Sequence, residues 1–368
     1  MDIDLCISEL QQSTENEYEE PLPVFEKYRE LLLSESRDNP KNIRAVCLLA
    51  MVCFELREDT KDVLKYLKHA YKAYKDELSD DEYAMLVTDI AYLYIKELRY
   101  SGKAICNLLK SAAQRNPTFP ETYYALAMVL YDNKKYSEAL PQFKRACGLS
   151  DKFRYHYNYA DCLFRCGYSG EAIEILRKLS LNWHDGWRGT KAYFLLGYIY
   201  ANQGHKEETK KIAVNLFSAD YDDLEFDGLM FLSELAGLMF LIGDFEKCAE
   251  LFENDNLAFE AWWMGRYFYC LKESNQENKA KSKLLEAIEY IEDDISDKRE
   301  EASEWEPKQL EEYIVGSNRE NGEIQTAYDD AFTRDMKPDG EFVVQLVDEY
   351  SYDGCYYIEC PRHYRKGT

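Results

Sequence analysis

The feature that most constrains this 368-residue chain is a pattern that returns about every 34 residues. Between Pro120 and Lys152 the sequence runs PETYYALAMVLYDNKKYSEALPQFKRACGLSDK. Tyr123, Leu126, Ala127, Tyr136, Ala139, Leu140, Phe143 and Ala146 hold helical spacing in two successive runs. The pattern predicts two helices joined by a short turn. Ala or Gly at the crossing lets the two backbones approach, while aromatic and Leu positions fill the space between neighbours. One such repeat cannot bury its apolar face alone, so the pattern predicts a stack.

Degraded copies follow on both sides. Downstream, one copy keeps Tyr155, Tyr159, Ala160, Leu163, Gly167, Ala172, Ile173 and Leu176, and the next keeps Tyr193, Leu196, Gly197, Tyr200 and Gly204. In that second copy Thr209 stands where a small Ala is expected. A further copy aligns Leu235, Ala236, Gly243, Asp244, Phe245 and Phe252, with Cys248 at the small position. The last opens AWWMGRYFYC and is expected to need about three extra turn residues before Ala280, Leu284 and Ala287 fall into register. Upstream, Ala104, Ile105, Ala112 and Pro117 suit one copy. Leu49, Ala50, Leu67 and Ala70 suit another, from about Asn42 to Lys75. About six repeats result, above the minimum of about three that a continuous core requires. An irregular helical bundle is the alternative, disfavoured because consecutive copies share register.

These residues resemble the tetratricopeptide repeat, over about residues 40–290. The resemblance implies an all-α, right-handed α-solenoid of stacked helix-turn-helix repeats. Residues 1–39 would form a single capping helix, 40–295 the solenoid, and 296–368 an acidic C-terminal appendage, partly β. It also implies that first helices line a concave groove that holds a peptide or helix of a partner protein. The groove positions are then Tyr124, Met128 and Tyr131; Arg154, Tyr157, Asp161, Phe164 and Arg165; and Lys191, Phe194, Tyr198 and Asn202. Tyr and Arg suit such a surface because each buries a large area and keeps a polar tip. A subset of these repeats clamps a terminal carboxylate with Lys and Asn. Here the matching positions hold Tyr124, Met128, Tyr157 and Asp161, only Asn158 resembles the clamp, and the ligand class stays open.

Composition narrows the classes. A 46% hydrophobic content supports a buried core rather than disorder. No apolar run approaches the roughly 20 residues that span a bilayer. The first twenty residues hold seven acidic side chains and no Lys or Arg, unlike a secretory leader, so a cytoplasmic protein is expected. Eleven cysteines, an odd count, include Cys47, Cys53, Cys106, Cys147, Cys162, Cys248 and Cys270 inside repeats, where a free thiol acts as a small hydrophobe. The net charge of −24 opposes nucleic-acid binding. Residues 291–353 alone carry 20 acidic against 6 basic groups. That stretch is foremost a solvated face. It also permits a second reading, a neutralising or peptide-sensing protein that engages a basic partner through its acidic C-terminal region.

After Tyr290 the period stops. A charged helix follows, interrupted or restarted at Pro307, and Asn318–Gly322 reads as a loop. Phe342, Val343, Val344, Leu346 and Val347 form a β-rich run and Cys355–Cys360 a second, with Asp353-Gly354 as a hairpin signal between them. Cys355, Cys360 and His363 give C-x4-C-x2-H, three ligands without an evident fourth, a poor match to tetrahedral zinc sets. No Gly-rich phosphate loop or nucleophile elbow occurs, and His69, His156, His184, His205 and His363 sit in no motif. No cofactor and no enzymatic activity are expected. An enzyme or metalloprotein with its site in 296–368 is the third reading. Dimerisation through the last repeat, and whether Trp262 and Trp263 lie in a core or on an end surface, stay open.

Overall fold

The computed structural model describes residues 2–14, 22–98, 102–182, 187–217, 228–253, 261–302, 305–338 and 358. Seventeen α-helices and no strand occur among them, the all-α solenoid fold that the repeat pattern predicts. The chain divides into two compact units, unit 1 comprising Met1–Ile175 and Gln345–Thr368, unit 2 comprising Leu176–Val344.

Unit 1 opens with α1 (Ile3–Thr14) and α2 (Leu22–Asp38), where the pattern predicts one helix. Helix pairs follow: α3 (Ile43–Glu55) with α4 (Thr60–Tyr74), α5 (Asp80–Tyr92) with α6 (Lys103–Ala113), α7 (Pro120–Asp132) with α8 (Tyr136–Cys147), and α9 (Phe153–Arg165) with α10 (Ser169–Leu179). The unit boundary falls inside α10. Unit 2 continues with α11 (Trp187–Asn202) and α12 (Lys206–Phe217), α13 (Gly228–Ile242) and α14 (Phe245–Glu253), α15 (Ala261–Glu273) and α16 (Glu277–Glu300), then α17 (Pro307–Phe332). Seven pairs occur among the described residues, one for each copy named from the sequence, where about six were expected.

The turns inside the pairs explain why the pattern survives so much sequence change. In six pairs the same backbone bond closes the first helix, from an N–H to the carbonyl five residues earlier. The bonds are Glu58 to Cys53, Lys135 to Leu130, Tyr168 to Leu163, His205 to Tyr200, Asp244 to Met239 and Gln276 to Leu271, at 2.8–3.1 Å. This is the Schellman closure, which needs one left-handed residue. Arg57, Lys134, Gly167, Gly204, Gly243 and Asn275 supply it, with φ between 58° and 85°. Among the described residues α5 differs: it runs on into a π-helical turn, Leu93–Glu97, where the Leu98 N–H reaches the Leu93 carbonyl at 3.3 Å with no left-handed residue beside it.

The two helices of a pair bury different surfaces. Every residue of α7 from Glu121 to Tyr131 is buried, whereas α8 buries only Ala139, Phe143 and Ala146. The first helix α7 is thus enclosed along its length, while the second helix α8 keeps a wet outer face. Within unit 1, α5 packs against both α3 and α7, so first helices form a row. Gly197 on α11 shows how close the rows come. A Cβ there would meet Ile212 Cγ2 at 3.0 Å and Leu238 Cδ1 at 3.2 Å. Thr209 takes the small position without penalty, since its hydroxyl donates to the His205 carbonyl at 3.0 Å.

Three local expectations change. The α15–α16 pair needs no inserted turn residues: Ala261 to Glu277 spans the same 16 positions as Pro120 to Tyr136, which brings Ala280 and Ala287 into the buried register. Asn318–Gly322 is helical inside α17. That helix packs along α15 and α16, with Tyr328 edge-on to Phe268 at 5.3 Å, and this contact overrides the turn-prone side chains. Pro307 restarts the chain as the first residue of α17, where its missing N–H costs nothing. Trp263 is buried against Phe252 at 5.5 Å, while the Trp262 side chain lies outside the described residues. The β-hairpin expected over 342–360, and Cys355, Cys360 and His363, also lie outside them. No described helix is long and apolar enough to cross a membrane.

Candidate functional site

Eight of the expected groove residues lie on α7 and α9 in unit 1, and four on α11 in unit 2. In unit 1 most of them belong to polar–aromatic clusters that cross the step from one first helix to the next. Asn158 donates to the Tyr124 hydroxyl at 2.7 Å and approaches Met128 Sδ at 3.6 Å. The Tyr131 hydroxyl donates to Asp161, and Arg165 Nε donates to Tyr131 at 2.7 Å and to Asp161 Oδ2 at 3.3 Å. The Arg154 guanidinium lies 5.3 Å from the Tyr124 ring and 5.0 Å from Tyr155, and its Nη2 donates to the Tyr155 hydroxyl at 3.2 Å. Tyr155 in turn donates to Glu121 Oε1 at 3.1 Å, where Lys152 also ends at 3.3 Å. Phe153 and Tyr157 stack at 5.6 Å.

Burial sets the electrostatics. It pushes the Asp161 carboxyl above its ordinary value, and the Arg165 charge and the Tyr131 hydroxyl offset only part of that. The same burial, reinforced by Asp161, pushes the Tyr131 phenol up, so it stays a hydrogen-bond donor throughout the neutral range. Arg165 loses through burial and gains more from Asp161 and Tyr131, ending firmly charged. Tyr131, Asp161 and Arg165 thus form one hydrogen-bonded group, with Arg165 its fixed positive charge.

Exposure sorts the expected residues. Tyr124 and Tyr157 are 0% and 2% exposed, and Met128, Tyr131, Arg154, Asp161, Phe194 and Tyr198 are buried as well. Phe164, Arg165 and Lys191 are half-buried, and Asn202 is exposed, its carboxamide donating to the Tyr198 carbonyl at 2.9 Å. The buried members shape the row, while the half-buried ones offer surface. On α13, Glu234 has its carboxyl pushed up to about 7 by burial, against the pull of Lys191 on α11.

Sequence reasoning placed Asn158 near the face without giving it a role, and missed Asp89. This carboxylate is fully buried in the middle of α5, and Thr88 beside it bonds Thr122 on α7 at 2.9 Å. Asp89 Oδ1 accepts the backbone N–H of Ile358 at 3.0 Å. The signal was a lone acid within the apolar run YAMLVTDIAYLYI, a position that burial without a partner would forbid.

A family model described as anaphase-promoting complex, cyclosome, subunit 3 matches residues 99–179, and a tetratricopeptide repeat model matches residues 190–221. No curated protein matches the chain. Among solved structures, YrrB, a TPR protein with an unusual peptide-binding site, is similar at 16% identity and a TM-score of 0.44, over 53% of this chain and 95% of YrrB. Yeast Tom70 is similar at 11% identity and a TM-score of 0.41, over 86% of this chain, which spans only 62% of the Tom70 chain. The P58(IPK) TPR domain is similar at 13% identity and a TM-score of 0.24, over 90% of this chain and 97% of that domain.

Proposed function

Because the chain is a tetratricopeptide-repeat protein, we propose that it is a protein-interaction adaptor whose first helices hold a peptide or helix of a partner. The observation that carries this reading is the network from Glu121 to Arg165. First helices in an inert stack need only apolar side chains, yet α7 and α9 bury tyrosines, an Asp, an Asn and an Arg in mutual hydrogen bonds. Burying such groups costs free energy unless they are satisfied, and the benefit is a rigid surface with fixed donors and acceptors. A preformed surface spends little ordering entropy on binding. The ligand supplies the ordering, and no chemical step is involved.

Half-buried Phe164 and Lys191 are the positions from which to test the reading, because their replacement spares the core. Full-length protein carrying Phe164→Ala and Lys191→Ala should capture at least about ten-fold less of the partner that the wild type retains from its native cell, a loss of about 1.4 kcal/mol. Its melting temperature should stay close to the wild-type value. Undiminished capture by the folded variant removes the first-helix rows as the binding surface.

A further inference from the structure

The last two helices of unit 2 carry an apolar seam that they do not close between them. On α16, Ala280, Leu284, Ala287, Ile288, Ile291 and Ile295 hold helical spacing, and on α17 Leu310, Tyr313, Ile314, Ser317 and Ile324 do the same. The helices pack on each other, and the Tyr313 hydroxyl donates to Asp294 across the seam. Ala280, Ala287, Ile291, Ile295 and Ile324 are buried there. Leu284, Ile288, Leu310, Tyr313 and Ile314 stay half-buried, and Leu285 beside them is 66% exposed.

These accessible positions are not scattered. Leu284, Leu285 and Ile288 follow one edge of the α16 stripe, and Leu310 and Ile314 follow the edge of α17 that faces the same side of an antiparallel pair. The second half of α17 is held by α15, through Tyr328 on Phe268 at 5.3 Å and Ala327 Cβ, 3.7 Å from where a Cβ on Gly265 would sit. In its first half, Pro307–Glu323, no residue is buried. Two paired helices leave a flank of their seam open, and a third element is what ordinarily closes it. The open flank from Leu284 to the level of Ile295 runs about three turns, roughly 18 Å.

Charge selects the occupant. Residues 286–323 carry 14 acidic against 4 basic side chains. Lys298, Lys308 and Arg319, three of those four, already pair with Glu301, Glu312 and Glu323. A second copy of the chain would bring the same acidic surplus and be repelled, whereas a basic helix is drawn in. We propose that the α16–α17 hairpin is a docking arm, on whose open flank a basic amphipathic helix of a partner lays its apolar stripe over Leu284, Leu285, Ile288, Leu310 and Ile314. Its Lys or Arg residues then meet Glu292 and Glu311, both exposed and one turn from Ile288 and Ile314. Helix-in-groove docking of this kind reads apolar anchors at i, i+3, i+4 and i+7. The arm is a second contact and does not rest on the first-helix face.

The probe is a fluorescent synthetic helix of Leu and Lys, about four turns long, with Leu at that spacing; a scrambled peptide of the same composition is its control. Titrated by anisotropy into full-length protein, the amphipathic probe should bind at least about ten-fold more tightly than the scrambled one. Leu285→Gln with Ile314→Gln leaves the charge unchanged, and should cost the amphipathic probe at least about ten-fold while the scrambled one binds as before. Leu285→Gln alone alters an exposed side chain, and should cost at least about three-fold even if the double variant fails to fold. Equal affinity of the two peptides for the wild type means attraction by charge alone and overturns the proposal, as does wild-type affinity in folded Leu285→Gln. Self-association of the wild type in sedimentation, abolished by Leu285→Gln, overturns it too, since the occupant is then a second copy. Protein carrying Phe164→Ala and Lys191→Ala should bind the probe like the wild type, so this proposal and the adaptor reading fail separately.

Discussion

Asn158 on α9 donates its carboxamide hydrogen to the Tyr124 hydroxyl on α7 at 2.7 Å, with both side chains fully buried. The bond ties one repeat to the next through polar atoms in a place where apolar packing alone would leave the register free. Tyr124→Phe keeps the ring volume and removes the acceptor, so it should cost about 1–3 kcal/mol, the penalty of an under-satisfied buried amide. Urea unfolding of Tyr124→Phe, Asn158→Ala and the double variant should give a coupling energy of about 0.5–3 kcal/mol. Strict additivity would show that the bond contributes nothing to the register.

Gly197 and Gly316 should respond with opposite signs. At Gly197 an added methyl meets Ile212 and Leu238 at 3.0 and 3.2 Å, so Gly197→Ala should destabilise by about 1–3 kcal/mol. On α17, nothing lies within 4 Å of a Cβ at Gly316, so Gly316→Ala should stabilise by about 0.5–1 kcal/mol through helix propensity alone. Denaturation midpoints of the two variants check both signs.

Tyr157 and Tyr198 attract attention from sequence as binding residues, but both are buried. Each Tyr→Ala change should therefore cost about 3–5 kcal/mol of stability before any effect on binding appears. A thermal melt of Tyr157→Ala that matches the wild type would place this ring outside the core.

Glu234 makes stability depend on pH. Its carboxyl titrates at about 7 in the folded chain against 4.5 ordinarily, because burial disfavours the charge. Between those values the folded chain holds a proton that the unfolded chain has released, so stability should fall as pH rises from 4.5 to 7. Below 4.5 both states are protonated and the contribution is constant. The slope from this group cannot exceed about 1.4 kcal/mol per pH unit. Glu234→Gln should flatten the chemical-denaturation profile in that window, and an unchanged profile would assign the slope to other groups.

Much of the fold was legible in the sequence for a physical reason. The stack demands a small residue wherever helices cross and a turn that tolerates a left-handed residue, and both demands leave marks at fixed spacing, as at Ala139 and Gly167. Asn318–Gly322 was illegible because its helix is imposed by packing on α15, not by local preference. The face was half legible. Aromatic and basic residues on first helices stand out in sequence, but which of them stay accessible depends on what covers the row. Ile358 against Asp89 is a contact across 269 residues, and no periodicity reports it.

The central claim is that a partner lies against the first helices and not against the second. A photoreactive residue placed in the full-length chain at Phe164 on α9 or Asn202 on α11, and as a control at Glu174 on the outer second helix α10, tests it directly. The account predicts partner cross-links from Phe164 or Asn202 and none from Glu174. Cross-links confined to Glu174 would contradict it.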